Sequence, residues 1–198
     1  SGSIESMIKI WDLKSGELIG NLTVNNDSVN INSLELLDHN TLISGDSIGQ
    51  VKFWNIKDFD NIELLKTYDD FPSENIIQLK LFKKNNLDKL LLSSDYKGVI
   101  RIWDLKDNSL KYKLNKGFNK RIYADLIAKE YKLIGVSFDG SIIIWDLRDT
   151  EKDPELYKLA NMGVYTFLNL NSNCKFLYIL QNLNKNLLKI IFLFFSYK

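Results

Sequence analysis

Cysteine and histidine are almost missing from this chain: its 198 residues hold one of each, Cys174 and His39. A lone cysteine cannot close an internal disulfide, which points to a reducing intracellular compartment, cytoplasmic or nuclear. One histidine and one cysteine cannot assemble the familiar zinc clusters, and they make a Cys-His catalytic pair a matter of chance. His39 lies in the polar turn Asp38-His39-Asn40, where a solvated side chain is the stronger reading than a general base. No glycine-rich phosphate loop of standard spacing occurs. The acids Asp58, Asp60, Asp69 and Asp70 cluster beside one strand and read as solvated loop charge. Catalytic, metal-binding and cofactor-binding residues are therefore expected to be absent, as is a small-molecule substrate. Neither charge predominates: 26 Lys and Arg against 25 Asp and Glu leave a net +1. That balance, with acids interleaved throughout, argues against a basic stripe for nucleic acid or an acidic membrane. The apolar run Ile190–Phe195 is six residues long, far below the roughly 20 needed to span a bilayer. Only two prolines and ten glycines interrupt the chain, so long stretches are free to form regular structure.

What the chain does have is a repeat. Four short apolar segments end in Trp followed by Asp or Asn: Ile8–Leu13, Val51–Ile56, Val99–Leu105 and Ser141–Leu147. The residue pairs are Trp11-Asp12, Trp54-Asn55, Trp103-Asp104 and Trp145-Asp146, with tryptophans 43, 49 and 42 residues apart. They use all four tryptophans of the chain, so the pattern is not selected from many. Between one Trp segment and the next, the same order of strand, turn, strand, tight turn recurs. In the second unit the strands are Asn30–Leu37, Thr41–Asp46 and Val51–Ile56; in the third, Ile76–Phe82, Leu90–Asp95 and Val99–Leu105. The fourth has Arg121–Ala128, Tyr131–Phe138 and Ser141–Leu147, with Asp139-Gly140 as a hairpin signal. An outer strand follows each Trp strand: Glu17–Leu22, Glu63–Tyr68, Ser109–Leu114 and Glu155–Leu159. Many strands are apolar on both faces, as expected of sheets packed against sheets. A β-sandwich also has short strands at regular spacing, but it does not predict a period of this length closing on Trp-Asp.

These residues resemble the WD-repeat family, strongly up to about Arg148 and weakly over the remainder. The resemblance implies an all-β fold, a WD-repeat β-propeller with four to five recognisable blades. The approximate units are 1–24, 25–70, 71–116, 117–160 and 161–198 of a single domain. It implies either a chain that closes alone or a fragment of a seven-bladed propeller, and the start inside a blade favours the fragment. Ser1-Gly2-Ser3 reads as the end of a second strand entering the first Trp strand, and the tail offers Val164–Leu170, Cys174–Leu180 and Leu187–Phe194. The family pattern is incomplete. No unit has a Gly-His pair before its inner strand, and the turn acid is present only as Asp139, with Glu5 in its place in the first unit. Ile48 and Lys97 stand there in the second and third, so packing is expected to carry more of each blade. The eight Trp and Asp/Asn residues are structural signatures, each Trp burying surface between blades.

The functional expectation is a non-catalytic scaffold that binds other proteins in an intracellular complex, since loops on a rigid frame concentrate binding residues. The loops least like the repeat are Tyr68–Glu74 with Phe71 and Lys113–Arg121 with Phe118, and aromatics beside Arg or Lys suit interface anchors. A rival reading rests on Leu133–Arg148. It resembles the box by which some WD-repeat proteins dock on the adaptor of cullin-RING ubiquitin ligases, where they act as substrate receptors. Arg148 would pair with a partner's carboxylates; the other units have Lys14, Lys57 and Lys106 at this position.

Overall fold

A computed structural model describes residues 1–3, 6–24, 29–68, 74–83, 89–115, 121–127, 132–137, 141–149 and 155–158. Runs of Ile, Val and Leu closed by Asp, Asn and Gly favour short extended segments, because β-branched side chains pack well on a pleated surface. The described residues form fourteen strands and no helix. A two-stranded sheet holds β1 (Met7–Trp11) and β2 (Leu18–Thr23). The next holds β3 (Ile31–Asp38), β4 (Thr41–Asp46), β5 (Val51–Asn55) and β6 (Glu63–Tyr68) in sequence order. A third holds β7 (Ile76–Lys83), β8 (Lys89–Asp95), β9 (Ile100–Asp104) and β10 (Ser109–Leu114). The last holds β11 (Ile122–Ile127), β12 (Lys132–Ser137), β13 (Ser141–Asp146) and β14 (Glu155–Lys158). Strand boundaries lie within two residues of those expected from the repeat. Ser1–Ser3 pairs along β1: Lys9 N–H donates to Ser1 O at 2.8 Å and Ser3 N–H to Met7 O at 2.9 Å. The turn Asp139-Gly140, Glu5 and the tail segments Val164–Leu170, Cys174–Leu180 and Leu187–Phe194 lie outside the described residues.

The chain divides into two compact units, Ser1–Ile122 and Tyr123–Lys198. In the first, sheets meet face to face across two seams. Successive side chains of a strand point to opposite faces, and β5 serves both seams. Val51 and Phe53 join Ile43, Ile76, Leu79, Leu91 and Trp103 in one cluster, while Trp54 joins Ile8, Val24, Ile31 and Ile56 in the other. Each of these tryptophans thus packs toward the sheet that precedes it in sequence. Trp103 stacks on Tyr68 at 4.6 Å between centroids, and Tyr68 meets Phe53 edge-on at 5.1 Å. Gly45 lets β4 approach β7 closely: a Cβ there would lie 2.6 Å from Ile76 Cγ2.

Trp11 departs from expectation. Trp54, Trp103 and Trp145 are 3–4% exposed, whereas Trp11 is 45% exposed. Its own sheet packs toward the second through Ile8, Ile10 and Leu22, which leaves Trp11 on the other face, where no described strand precedes it. The four signature tryptophans are therefore not equivalent, although their sequence contexts are.

The seam between β3 and β7 is polar as well as apolar. Leu79 N–H donates to Ser33 Oγ at 2.8 Å, Leu81 N–H to Glu35 Oε1 at 3.1 Å, and Asn32 Nδ2 to Ile76 O at 3.0 Å. Side chains of one inner strand thereby satisfy the edge amides of the next, which would otherwise stay unpaired. Burial raises the Glu35 carboxyl above its ordinary pKa, opposed by the Leu81 amide and by Lys80.

Candidate interaction surface

Two sets of turns define what each sheet presents. The first set contains the signature acids. In each repeat the Asp or Asn after Trp accepts the backbone N–H two residues on: Lys14 N–H to Asp12 at 2.7 Å, Lys57 to Asn55 at 3.1 Å, Lys106 to Asp104 at 3.0 Å and Arg148 to Asp146 at 3.0 Å. This is an Asx-type turn closure. It explains why Asn55 can replace Asp, since only the Oδ1 acceptor is needed.

The second set joins β4 to β5 and β8 to β9. Asp46 Oδ1 accepts the N–H groups of Ile48 (3.1 Å) and Gln50 (2.8 Å), and Asp95 Oδ1 those of Lys97 (3.0 Å) and Val99 (2.9 Å). Gly49 and Gly98 complete these turns with φ of +87° and +86°, values that side-chain-bearing residues rarely adopt. Ile48 and Lys97 do stand at the family's acid position in the second and third repeats, and a different acid, two residues earlier, closes each turn. Burial lifts the Asp46 carboxyl above its ordinary pKa, with the turn amides and Lys52 opposing. In the third sheet the same acid also holds a cation: Arg101 Nη1 donates to Asp95 Oδ2 at 2.8 Å, and both side chains are at most 2% exposed. In the second sheet Lys52 Nζ donates to Val24 O at 3.2 Å, tying the two sheets together. The polar network expected to be incomplete is also partly built through Trp54, whose Nε1 donates to Ser44 Oγ at 2.9 Å.

Asp46 and Asp95 hold these turns through backbone amides and not through the side chains at the tips. Ile48 is 43% exposed and Tyr96 49% exposed at the tips. Around them lie the ends of the loops that enter the inner strands. Ser47 N–H donates to Asn30 O at 2.9 Å, Tyr96 N–H to Asn75 O at 2.9 Å, and Lys97 pairs with Glu74. The Arg121 guanidinium lies over the Tyr96 ring at 4.6 Å, with Nη2 3.4 Å from the phenol oxygen. Glu74 and Arg121 close the two loops that the sequence singles out, so those loops end beside the tips. Phe71 and Phe118 themselves lie outside the described residues. Ile48 and Tyr96 were not singled out as binding residues by sequence; the signal available was the Asp eight residues before Trp54 and Trp103, which closes the turn.

On the signature turns, Arg148 directs its guanidinium to its own turn acid: Nε donates to Asp146 Oδ1 at 2.8 Å and Nη2 to Oδ2. This pairing holds the Asp146 carboxyl well below the usual carboxylate range. Lys66 Nζ sits 4.2 Å from the Phe53 ring centroid and, with the Tyr68 hydroxyl, donates to Asn108 Oδ1, fastening the second sheet to a turn of the third. Burial lowers the Lys66 pKa and raises that of Tyr68. His39 occupies the turn after β3, where Asn40 N–H donates to Asp38 Oδ1 at 3.0 Å. Among the described residues no three His, Cys, Asp or Glu side chains group to hold a metal, and no helix is long and apolar enough to cross a membrane.

No family model matches the chain. Over 106 residues, 52% of this chain, it is 27% identical to the COMPASS component SWD3 of Saccharomyces cerevisiae, covering 33% of that protein. The chain's match thus spans about a third of the length of this curated relative.

Proposed function

We propose that this chain, a divergent member of the WD-repeat β-propeller family, is a non-catalytic platform that holds other proteins together in an intracellular complex, cytoplasmic or nuclear. The observation that carries the reading is the pair of exposed tips, Ile48 and Tyr96 with Arg121, on turns whose backbone is secured by buried acids. A large apolar or aromatic side chain exposed on a rigid turn loses little entropy on binding and supplies the anchor type that dominates interfaces. The similarity to a component of a named complex supports protein partners in general. Phe71 and Phe118, in the loops that end at Glu74 and Arg121, extend the proposed contact. The double variant Ile48→Asp/Tyr96→Ala is expected to keep the wild-type melting profile while recovering roughly tenfold less partner in quantitative affinity purification, the scale of losing interface anchors. Equal recovery of the same partners would sink the platform reading at this surface.

A second reading, the ubiquitin-ligase substrate receptor, is favoured by Arg148 alone, an exposed, permanently charged fork on a signature turn. Its carboxylate contact is made within the chain by Asp146, so docking would require the partner's acids to take over that pairing. Under this reading Arg148→Ala abolishes pull-down of the purified adaptor. Equal recovery by wild type and variant, or none by either, removes it.

A further inference from the structure

Outer strands of a sheet present a row of unpaired amides and carbonyls, and proteins commonly blunt such edges with charge. In this chain β6 carries Glu63 and Lys66, β10 carries Lys111 and Lys113, and β14 carries Glu155 and Lys158. The outer strand β2, Leu-Ile-Gly-Asn-Leu-Thr, carries no charge at all. Among the described residues its one blunting device is a bulge at Ile19, where the register passes from Ile10↔Gly20 to Trp11↔Leu18. That bulge recurs in β6 and β10 at the residue after the Leu opposite Trp, so it does not distinguish β2.

The direction of the free groups follows from the pairing on the other side of β1. Lys9 exchanges both backbone bonds with Ser1, and Met7 O accepts from Ser3 N–H. Asn21 and Thr23, which stand opposite Lys9 and Met7, therefore belong to non-hydrogen-bonded pairs and point their backbone groups outward. Those outward groups meet no partner among the described residues. Both residues are exposed, as are the side chains of Leu18 and Ile19.

The geometry points to a second copy of this chain as the occupant: β2 pairs antiparallel with β2 of another molecule about a two-fold axis at Asn21. That register sets Ile19 against Thr23 of the second copy, Gly20 against its Leu22, and Asn21 against its Asn21. Every cross-strand pair is uncharged, and the β-branched pair and the two amides are favourable neighbours. The same operation on β10 would centre on Lys113, the residue opposite Arg101 as Asn21 is opposite Lys9, and would set two exposed lysines face to face. Isologous pairing of this kind closes on itself and gives a dimer rather than a fibre. The proposal concerns the rim of one sheet and does not depend on the platform reading.

Sedimentation of the whole chain across a concentration series tests it. Wild type is expected to pass from monomer to dimer as concentration rises into the high-micromolar range. Asn21→Lys, which places like charges on the axis, is expected to dimerise roughly tenfold more weakly, with the melting profile confirming an intact fold. Lys113→Glu is expected to leave dimerisation unchanged. Independently, Asn21→Cys in a Cys174→Ser background is expected to cross-link on mild oxidation, because directly opposed hydrogen-bonded residues lie within disulfide range. This arm decides the matter if Asn21→Lys fails to fold. A wild type that stays monomeric, a dimer unaffected by Asn21→Lys, or no cross-link through Cys at position 21 would each overturn the pairing.

Discussion

Alanine in place of Trp103 is expected to destabilise the chain by about 3–5 kcal/mol, the cost of truncating a fully buried aromatic and leaving a cavity. Trp103 is 4% exposed, stacks on Tyr68 and belongs to the cluster that joins the second and third sheets. The sharper expectation is the contrast with Trp11→Ala. Trp11 is 45% exposed, and its removal should cost under about 1 kcal/mol, as for most surface substitutions. Urea denaturation of the two variants against wild type measures both. Similar losses would mean that the Trp11 face is covered in solution; a small loss for Trp103 would mean that the seam is not where the stability resides.

Asp95→Ala is expected to cost a comparable ~3–5 kcal/mol, because removing one partner of a buried ion pair leaves the other without its counter-ion. Asp95 accepts the amides of Lys97 and Val99 and the guanidinium of Arg101, and neither charged side chain reaches solvent. Combining Asp95→Asn with Arg101→Met removes both charges while keeping the turn acceptor. It should recover most of the loss, since replacing both members of such a pair is commonly neutral. Thermal melts of Asp95→Asn, Arg101→Met and the double variant give the coupling directly. No recovery in the double variant, which keeps the turn acceptor, would sink the ion-pair account of the loss.

The repeat period and strand order were readable because each strand is short, closes on a distinctive pair and needs only local turn chemistry to form. The strands came out within two residues for that reason. The Asx turns at Asp12, Asn55, Asp104 and Asp146 are equally local, being bonds between residues two apart. Asp46 and Asp95 were legible as acids near each turn, but their bonds to the turn amides were not, because these depend on where the carboxylate points. The consequence for function is direct: those tips looked like lost structural positions and are instead exposed side chains on secured turns. Arg148 was readable as a charged fork, and its pairing with Asp146 was not, because a side chain's rotamer depends on which acceptor lies nearest in space.

The sequence by itself determined the all-β repeat, the place of each Trp at the end of a strand, and the absence of clustered chemistry among His and Cys. These follow from composition and from interactions spanning a few residues. Tertiary structure decided what identical motifs do in different places. Trp11 and Trp54 sit in the same local context, yet one is exposed and the other buried, because burial depends on whether a neighbouring sheet covers that face. Lys52 reaches the carbonyl of Val24 in the neighbouring sheet, a contact that its own repeat does not encode. Local pattern repeats along a chain, whereas the surroundings that give it an energy do not.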